Sequence, residues 1–191
     1  MPLTSFITLP LAALALLVAA MPAVAQPILL PAQSNVSFVF KQMGVSVEGR
    51  FKKFDAKVNF DAAKLAASQV TFTVDVASAT LGSPEIDAEL PKPDWFNTPK
   101  FAQATFASTS FKALGAGKYD VAGKLTIKGQ TQDVVVPITM TQIGAVTTAT
   151  GAFPIKRLAF KIGENDWVDT SLVANDVQVK FKLTLNGVGK I

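Results

Sequence analysis

Residues 35–60, NVSFVFKQMGVSVEGRFKKFDAKVNF, decide the fold. Val36, Phe38 and Phe40 alternate with Ser37, Val39 and Lys41. Past Met43-Gly44, the set Val45, Val47, Gly49, Phe51 keeps the same period of two, the spacing of a strand with one apolar face. At Lys52-Lys53 the parity slips, because Phe54, Ala56, Val58 and Phe60 are even-numbered whereas Val45 to Phe51 are odd. One extra residue there predicts a β-bulge. A bulge and a glycine within one long strand bend it sharply, and bent strands let a sheet curl and close, so the expectation is a small barrel.

Outward from this stretch the chain supplies the remaining staves. Val70, Phe72, Val74 and Val76 form a third alternating run, and Ala104 to Phe111 a fourth. Tyr119 to Ile127, Val134 to Met140, Thr147 to Ile155 and Val177 to Leu185 make eight in all, with Lys128-Gly129 as a tight hairpin turn. Pro137 lies inside the sixth run, so its missing N–H must fall at a bulge or an unpaired position. Asp61 to Ser68 reads as a short helical turn. Ser83-Pro84 opens a short helix in the longest connection, residues 77–103, which also carries Asp94-Trp95-Phe96. Such an excursion suits a lid or mouth. The predicted fold class is all-β: an eight-stranded antiparallel lipocalin-like barrel with one short helix in a long loop.

The first charged residue is Lys41. Before it, Leu11 to Ala20 is an almost pure Leu/Ala/Val run, closed by the small-residue pattern Ala23-Val24-Ala25. Pro10 and Pro22 bracket eleven residues, short of the about 20 needed to span a bilayer. Residues 1–25 are therefore expected to be a cleaved export signal, which places residues 26–191 in the periplasm as one barrel domain. The sequence contains no cysteine and no histidine, so the fold stands on its core without disulfides, and the commonest general base and metal ligand are missing. No metal and no cofactor are expected. The net charge of +4 comes mainly from scattered lysines, with Arg50 and Arg157 as the two guanidinium groups, and this pattern argues against nucleic acid.

Several stretches then resemble one known family. The run from Ser34 to Phe51 looks like the opening motif of the YceI-like lipid/polyisoprenoid-binding family, through Ser34, Val36, Phe38, Lys41, Gly44, Gly49 and Phe51. Asp94-Trp95-Phe96-Asn97, Phe101 to Ser108 and Gly123-Lys124-Leu125-Thr126-Ile127-Lys128-Gly129 are similar to three further motifs. Arg157, Ile162-Gly163 and Trp167 resemble its closing segment. Gln42, Ala102, Ala159 and Lys161 depart from the pattern. The resemblance implies an exported barrel with a long interior cavity for an isoprenoid or similar tail, in a binding or carrier role without catalytic machinery.

The residues support a lipid tail independently. The inward sets are rich in phenylalanine (Phe38, Phe40, Phe51, Phe54, Phe60, Phe72, Phe106, Phe181), and the long connections add Trp95, Phe96, Phe160 and Trp167. A lumen so lined admits apolar ligands. At about 0.8 kcal/mol per methylene, each enclosed isoprene unit contributes roughly 3–4 kcal/mol, so a few units outweigh an association cost of about 4–15 kcal/mol. The candidate ligand-binding residues of lumen and mouth are Phe38, Phe40, Phe51, Phe72, Val74, Trp95, Phe96, Phe106, Arg157, Trp167 and Phe181. Trp95 and Phe96 are the expected lid, and Arg157 a candidate for a phosphate or carbonyl head group. The alternative for each apolar position is plain packing in a filled barrel.

The expected partner is an isoprenoid, quinone-like or fatty-acyl lipid, with transient membrane contact and homodimerisation left open. Carrier, scavenger and sensor are not distinguished by these residues. Competing classes are a stress-related periplasmic interaction protein with incidental lipid, and an eight-stranded outer-membrane barrel. The latter is disfavoured by one Tyr and two Trp, too few for two aromatic girdles. An enzyme would have to rest on carboxylates, with Asp87 and Glu89 or Asp166 and Asp169 as the close sets.

Overall fold

A computed structural model describes residues 26–191; the expected signal, residues 1–25, lies outside the described residues. The strands in chain order are β1 (Ile28–Leu29), β2 (Asn35–Gln42), β3 (Val45–Phe51), β4 (Phe54–Asn59), β5 (Gln69–Asp75) and β6 (Ala79–Thr80). They continue as β7 (Gln103–Gly115), β8 (Lys118–Ile127), β9 (Gln130–Ile143), β10 (Val146–Lys156) and β11 (Val173–Asn186). One helix, α1 (Pro84–Asp87), and five short 3-10 turns fill the connections.

All pairings are antiparallel, and the strands follow one another around the sheet as β4-β5-β7-β8-β9-β10-β11-β2-β3-β6, with β1 added beside β11. β4 begins this path and β3 lies near its end, yet the two are separated in the chain by Lys52-Lys53 alone. The sheet therefore curls back on itself, an all-β architecture consistent with a lipocalin-like barrel. The strand count corrects the expectation: eleven rather than eight. The expected second stave is divided into β3 and β4, and the two-residue strands β1 and β6 are too short to show a period in sequence.

The division falls where the parity slips. Phe38 faces Gly49 and Phe40 faces Val47 across β2–β3, whereas Phe54 faces Val74 and Ala56 faces Phe72 across β4–β5. The two lysine residues between leave both ladders, and β6 with its preceding turn takes up their backbone groups. The Lys52 N–H donates to the Ser78 main-chain oxygen (3.1 Å) and the Lys53 N–H to Ser78 Oγ (2.9 Å), while the Asp75 N–H donates to the Lys53 oxygen (3.1 Å). The exposed Lys52 and Lys53 N–H donors leave the ladders, and Ser78 supplies their partners at the bend.

Pro137 is accommodated by a divergence of strands. β9 and β10 pair only from Val146–Ile143 to Gly151–Ile138, and the ladder stops one residue before Pro137, whose carbonyl faces Gly151. Beyond this point β10 continues on β11 alone, and Phe153, Ile155 and Phe160 fill the seam from inside.

Hairpin tips and termini define two ends. At the closed end, Leu29, Phe60, Tyr119, Leu185 and Val188 pack into a dense plug. Phe60 meets Tyr119 edge-on at 5.4 Å and Phe111 at 5.9 Å. The opposite end carries the long connections, residues 76–102 and 157–172, and the Met43-Gly44 and Lys128-Gly129 turns.

Candidate ligand-binding site

Along β11 the inward residues change burial with depth. Leu185 is buried at the closed end, whereas Leu183, Phe181, Val179 and Val177 are only half-buried although they alternate inward with exposed Lys182 and Lys180. Phe40, Phe51, Phe72, Phe106 and Ile138 are half-buried in the same way. Inward side chains with free surface enclose a space. That space is a cavity of about 440 Å³, within the range of roughly 300–1,000 Å³ usual for small-ligand sites.

Every candidate residue lines it: Phe38, Phe40, Phe51, Phe72 and Val74 from β2, β3 and β5, Phe106 and Phe181 from β7 and β11, and Trp95, Phe96, Arg157 and Trp167 from the connections. The polar side chains of the lining are few: Gln42, Glu85, Glu89, Thr105 and Arg157, all toward the end that carries the long connections.

Three strand glycines give the cavity its width. Phe38 lies over Gly49, Phe106 over Gly123 and Phe181 over Gly151, each ring so close that a Cβ would collide with it. At Gly123 and Gly151 the Ala107 and Pro137 carbonyl oxygens also crowd the position, at 2.5 and 2.7 Å; at Gly49 only the side chains of Phe38 and Leu81 do. A ring seated against a bare backbone takes less of the lumen than one held off by a side chain.

The two long connections are fastened to each other above the cavity. The Gly163 and Glu164 N–H groups donate to the Asp94 main-chain oxygen (2.7 and 3.0 Å), and Asn165 Nδ2 donates to Asp94 Oδ1 (2.6 Å). Lys128, in its turn, is buried, and its Nζ donates to the oxygens of Pro93 (2.6 Å) and Lys161 (2.6 Å) and to Glu164 Oε2 (2.9 Å). Trp95 packs on Trp167 with ring centres 5.3 Å apart, and Phe96 is buried against Phe51. Trp95 and Phe96 thus form a latched cap rather than a free lid.

Arg157 requires a correction. It is 2 % exposed and carries no ion pair among the described residues. Its Nε donates to Ala174 (3.1 Å), Nη1 to Ile162 and Gly163 (2.9 Å each), and Nη2 to Trp167 (2.5 Å) and Val173 (2.7 Å), all main-chain oxygens. A guanidinium has five N–H donors. None is left for a head group, so Arg157 is a clasp for the closing segment, and burial pushes its pKa below the ordinary value.

Three of the four carboxylates singled out in sequence are engaged within the protein, Glu89 through its pair with Lys92. Asp87 accepts from the Thr80 hydroxyl (2.5 Å) and the Leu81 N–H (2.6 Å), and Asp169 from the Ser171 N–H (2.8 Å) and hydroxyl (2.7 Å). These hydrogen bonds hold both carboxyls below the usual range. The outer wall is charged: Lys124 pairs with Asp133 at 2.9 Å and Lys156 with Asp176 at 2.5 Å, and Lys57, Lys180 and Lys182 are exposed. A lysine on a bilayer-facing strand costs about 2–4 kcal/mol at mid-depth.

The description "YceI-like domain" matches residues 28–185, nearly the whole curled sheet. The chain belongs to the YceI-like family. Among curated relatives, a UPF0312 protein of Ectopseudomonas mendocina is 41% identical over 102 residues, 53% of each chain. One from Vibrio cholerae is 36% identical over 106 residues, 55% of this chain and 56% of that one. The match spans about half the length of these relatives. Among solved structures, Burkholderia cenocepacia BcnA superposes with a TM-score of 0.79 at 48% identity, covering 82% of this chain and 98% of that one. A polyisoprenoid binding domain from Saccharophagus degradans shares the fold, with a TM-score of 0.69 at 16% identity over 84% of this chain and 97% of that one.

The YceI-like motifs fall on these features. Asp94-Trp95-Phe96-Asn97 is the latch with its cap, the Gly123 to Gly129 stretch delivers Lys128 to it, and the closing segment is held by the Arg157 clasp. The sequence reading did not find Lys128 as a buried latch, the glycines beneath the rings, or Glu85 and Glu89 beside the cavity. Lys128 looks like an ordinary turn lysine, and only the φ of +48° at its backbone marks the position as special.

Proposed function

We propose that this YceI-like protein binds a long apolar lipid, an isoprenoid or a molecule with a similar tail, inside the curled sheet. The half-buried inward phenylalanines around the 440 Å³ cavity carry this reading, since they leave apolar surface for which a tail is the complement. Filling that surface at about 25 cal/mol per Å² supplies the driving force, so affinity rises with tail length. The likeness in fold to the polyisoprenoid binding domain of Saccharophagus degradans supports the same choice. We place the protein in the periplasm after removal of residues 1–25, as a carrier or scavenger rather than an enzyme. Quinone-like molecules and fatty-acyl esters fit the same tail chemistry.

The test is native mass spectrometry of the processed protein from periplasm, followed by organic extraction and titration with prenols of increasing length. A retained polyprenyl or acyl species, and affinity growing with each isoprene unit, are the expected results. A protein that arrives empty and takes up no added prenol would refute the proposal.

A further inference from the structure

We infer that the cavity selects lipids whose head is neutral or cationic and rejects anionic heads, phosphorylated prenols and free fatty acids included. The inference rests on the lipid-tail reading and concerns the other end of the ligand. Two carboxylates belong to the lining: Glu85, exposed on α1, and Glu89, half-buried two residues past the end of that helix. Glu85 accepts a hydrogen bond from the Ser83 hydroxyl (2.7 Å), and no lysine or arginine pairs with it among the described residues. Glu89 is paired with Lys92 at 2.6 Å, an exposed contact that water weakens.

The cationic groups nearest the lining are spent, and the neighbouring Lys52 lies beside a third carboxylate, Asp87 of α1. Arg157 lines the cavity, but its five N–H groups all end on main-chain oxygens. Lys128 is bound by two carbonyls and Glu164. The remaining polar lining, Gln42 and Thr105, is uncharged. A phosphate seated at this mouth would meet carboxylate and no free cation of the lining, whereas a hydroxyl donates to the same carboxylate and an ammonium is attracted by it.

Three probes with one tail test this on the full processed chain: farnesol, farnesylamine and farnesyl monophosphate, each held below its micelle concentration in a competition assay. The amine and alcohol should bind, with the phosphate at least about tenfold weaker at low salt, and the gap should shrink as salt shortens the Debye length. Substituting Glu85→Gln and Glu89→Gln together should bring the phosphate to within about threefold of the alcohol. Circular dichroism checks the fold of the variant, and the salt series on the unaltered protein stands without it. Equal binding of all three probes, or tighter binding of the phosphate, overturns the head-group inference and leaves the tail reading intact. Failure of all three to bind overturns both.

Discussion

Replacing Arg157 with Met separates a clasp from a head-group ligand. The side chain is of similar length and apolar, so it removes the five donors while keeping much of the packing. Of the five carbonyls released, those of Ile162, Gly163 and Val173 belong to buried residues. Each stranded acceptor costs about 1–3 kcal/mol, offset in part because the charged guanidinium no longer has to be kept out of water. The net expectation is a loss of about 3–5 kcal/mol, the usual consequence of breaking a buried charged network. For a chain of this size each kcal/mol moves the melting point by about 2–4 °C, so the variant should melt about 6–20 °C lower in a circular-dichroism scan. Arg157→Lys keeps the charge but has three donors on a flexible stem and should recover only part of the loss. A methionine variant that melted within about 2 °C of the parent would refute the clasp. If it also bound tails but no longer distinguished heads, Arg157 would return to the mouth.

The remaining predictions concern the lumen, the cap and acid. Gly49→Ala meets only the flexible Phe38 and Leu81 side chains, so it should swing the Phe38 ring into the lumen and weaken long-tail binding about tenfold, with a melting point changed by only a few degrees. Trp95→Ala removes the partner of Trp167 and should speed tail dissociation several-fold in a stopped-flow chase; an unchanged off-rate would show that the cap does not retain the ligand. The carboxyls of Glu85, Asp87 and Asp169 are all held below their unfolded values, mainly by the hydroxyls of Ser83, Thr80 and Ser171 respectively. Their contribution to stability is full above about pH 4, the unfolded range, and is lost as pH falls through the lower folded values. A melting-point profile should therefore drop on the acid side, and Asp87→Asn should flatten that drop; an identical slope in the variant would count against the Thr80 contact.

Much of the architecture is legible before any coordinate. The parity slip at Lys52-Lys53 marks the place because strand side chains strictly alternate, but its cause is a break into two strands with different partners, β2 for β3 and β5 for β4, and not the expected bulge. The two-residue turn at Met43-Gly44 even fixes the β2–β3 register, so Phe38 opposite Gly49 is within reach of the sequence. Phe181 opposite Gly151 is not, because β10 and β11 are joined through the long irregular connection and nothing local sets their alignment. The same limit hides Lys128, whose three acceptors are 33 to 36 residues away. Arg157 illustrates a different limit. Its residue type suits phosphate and main-chain oxygen equally, and only the closing segment wrapped around it decides between them. Hollowness is the hardest to read, since a filled and an empty lumen demand the same alternation; the signal is a phenylalanine facing a glycine, a pair that leaves room.

The seam where β9 and β10 part company leaves two backbone edges without a ladder partner, in addition to the ends of the sheet at β4 and β6. Bare edges of this kind recruit strands from neighbouring molecules and seed aggregation. Each edge here carries a proline, Pro137 on β9 and Pro154 on β10, opposite Asp120 and Gln178 in the ladders that persist. Since those partners occupy one side of each strand, the missing N–H falls on the open side, where an incoming strand would need it. The chain can thus leave its wall unzipped at this seam without offering a neighbouring molecule a complete edge, a protection written into two residues.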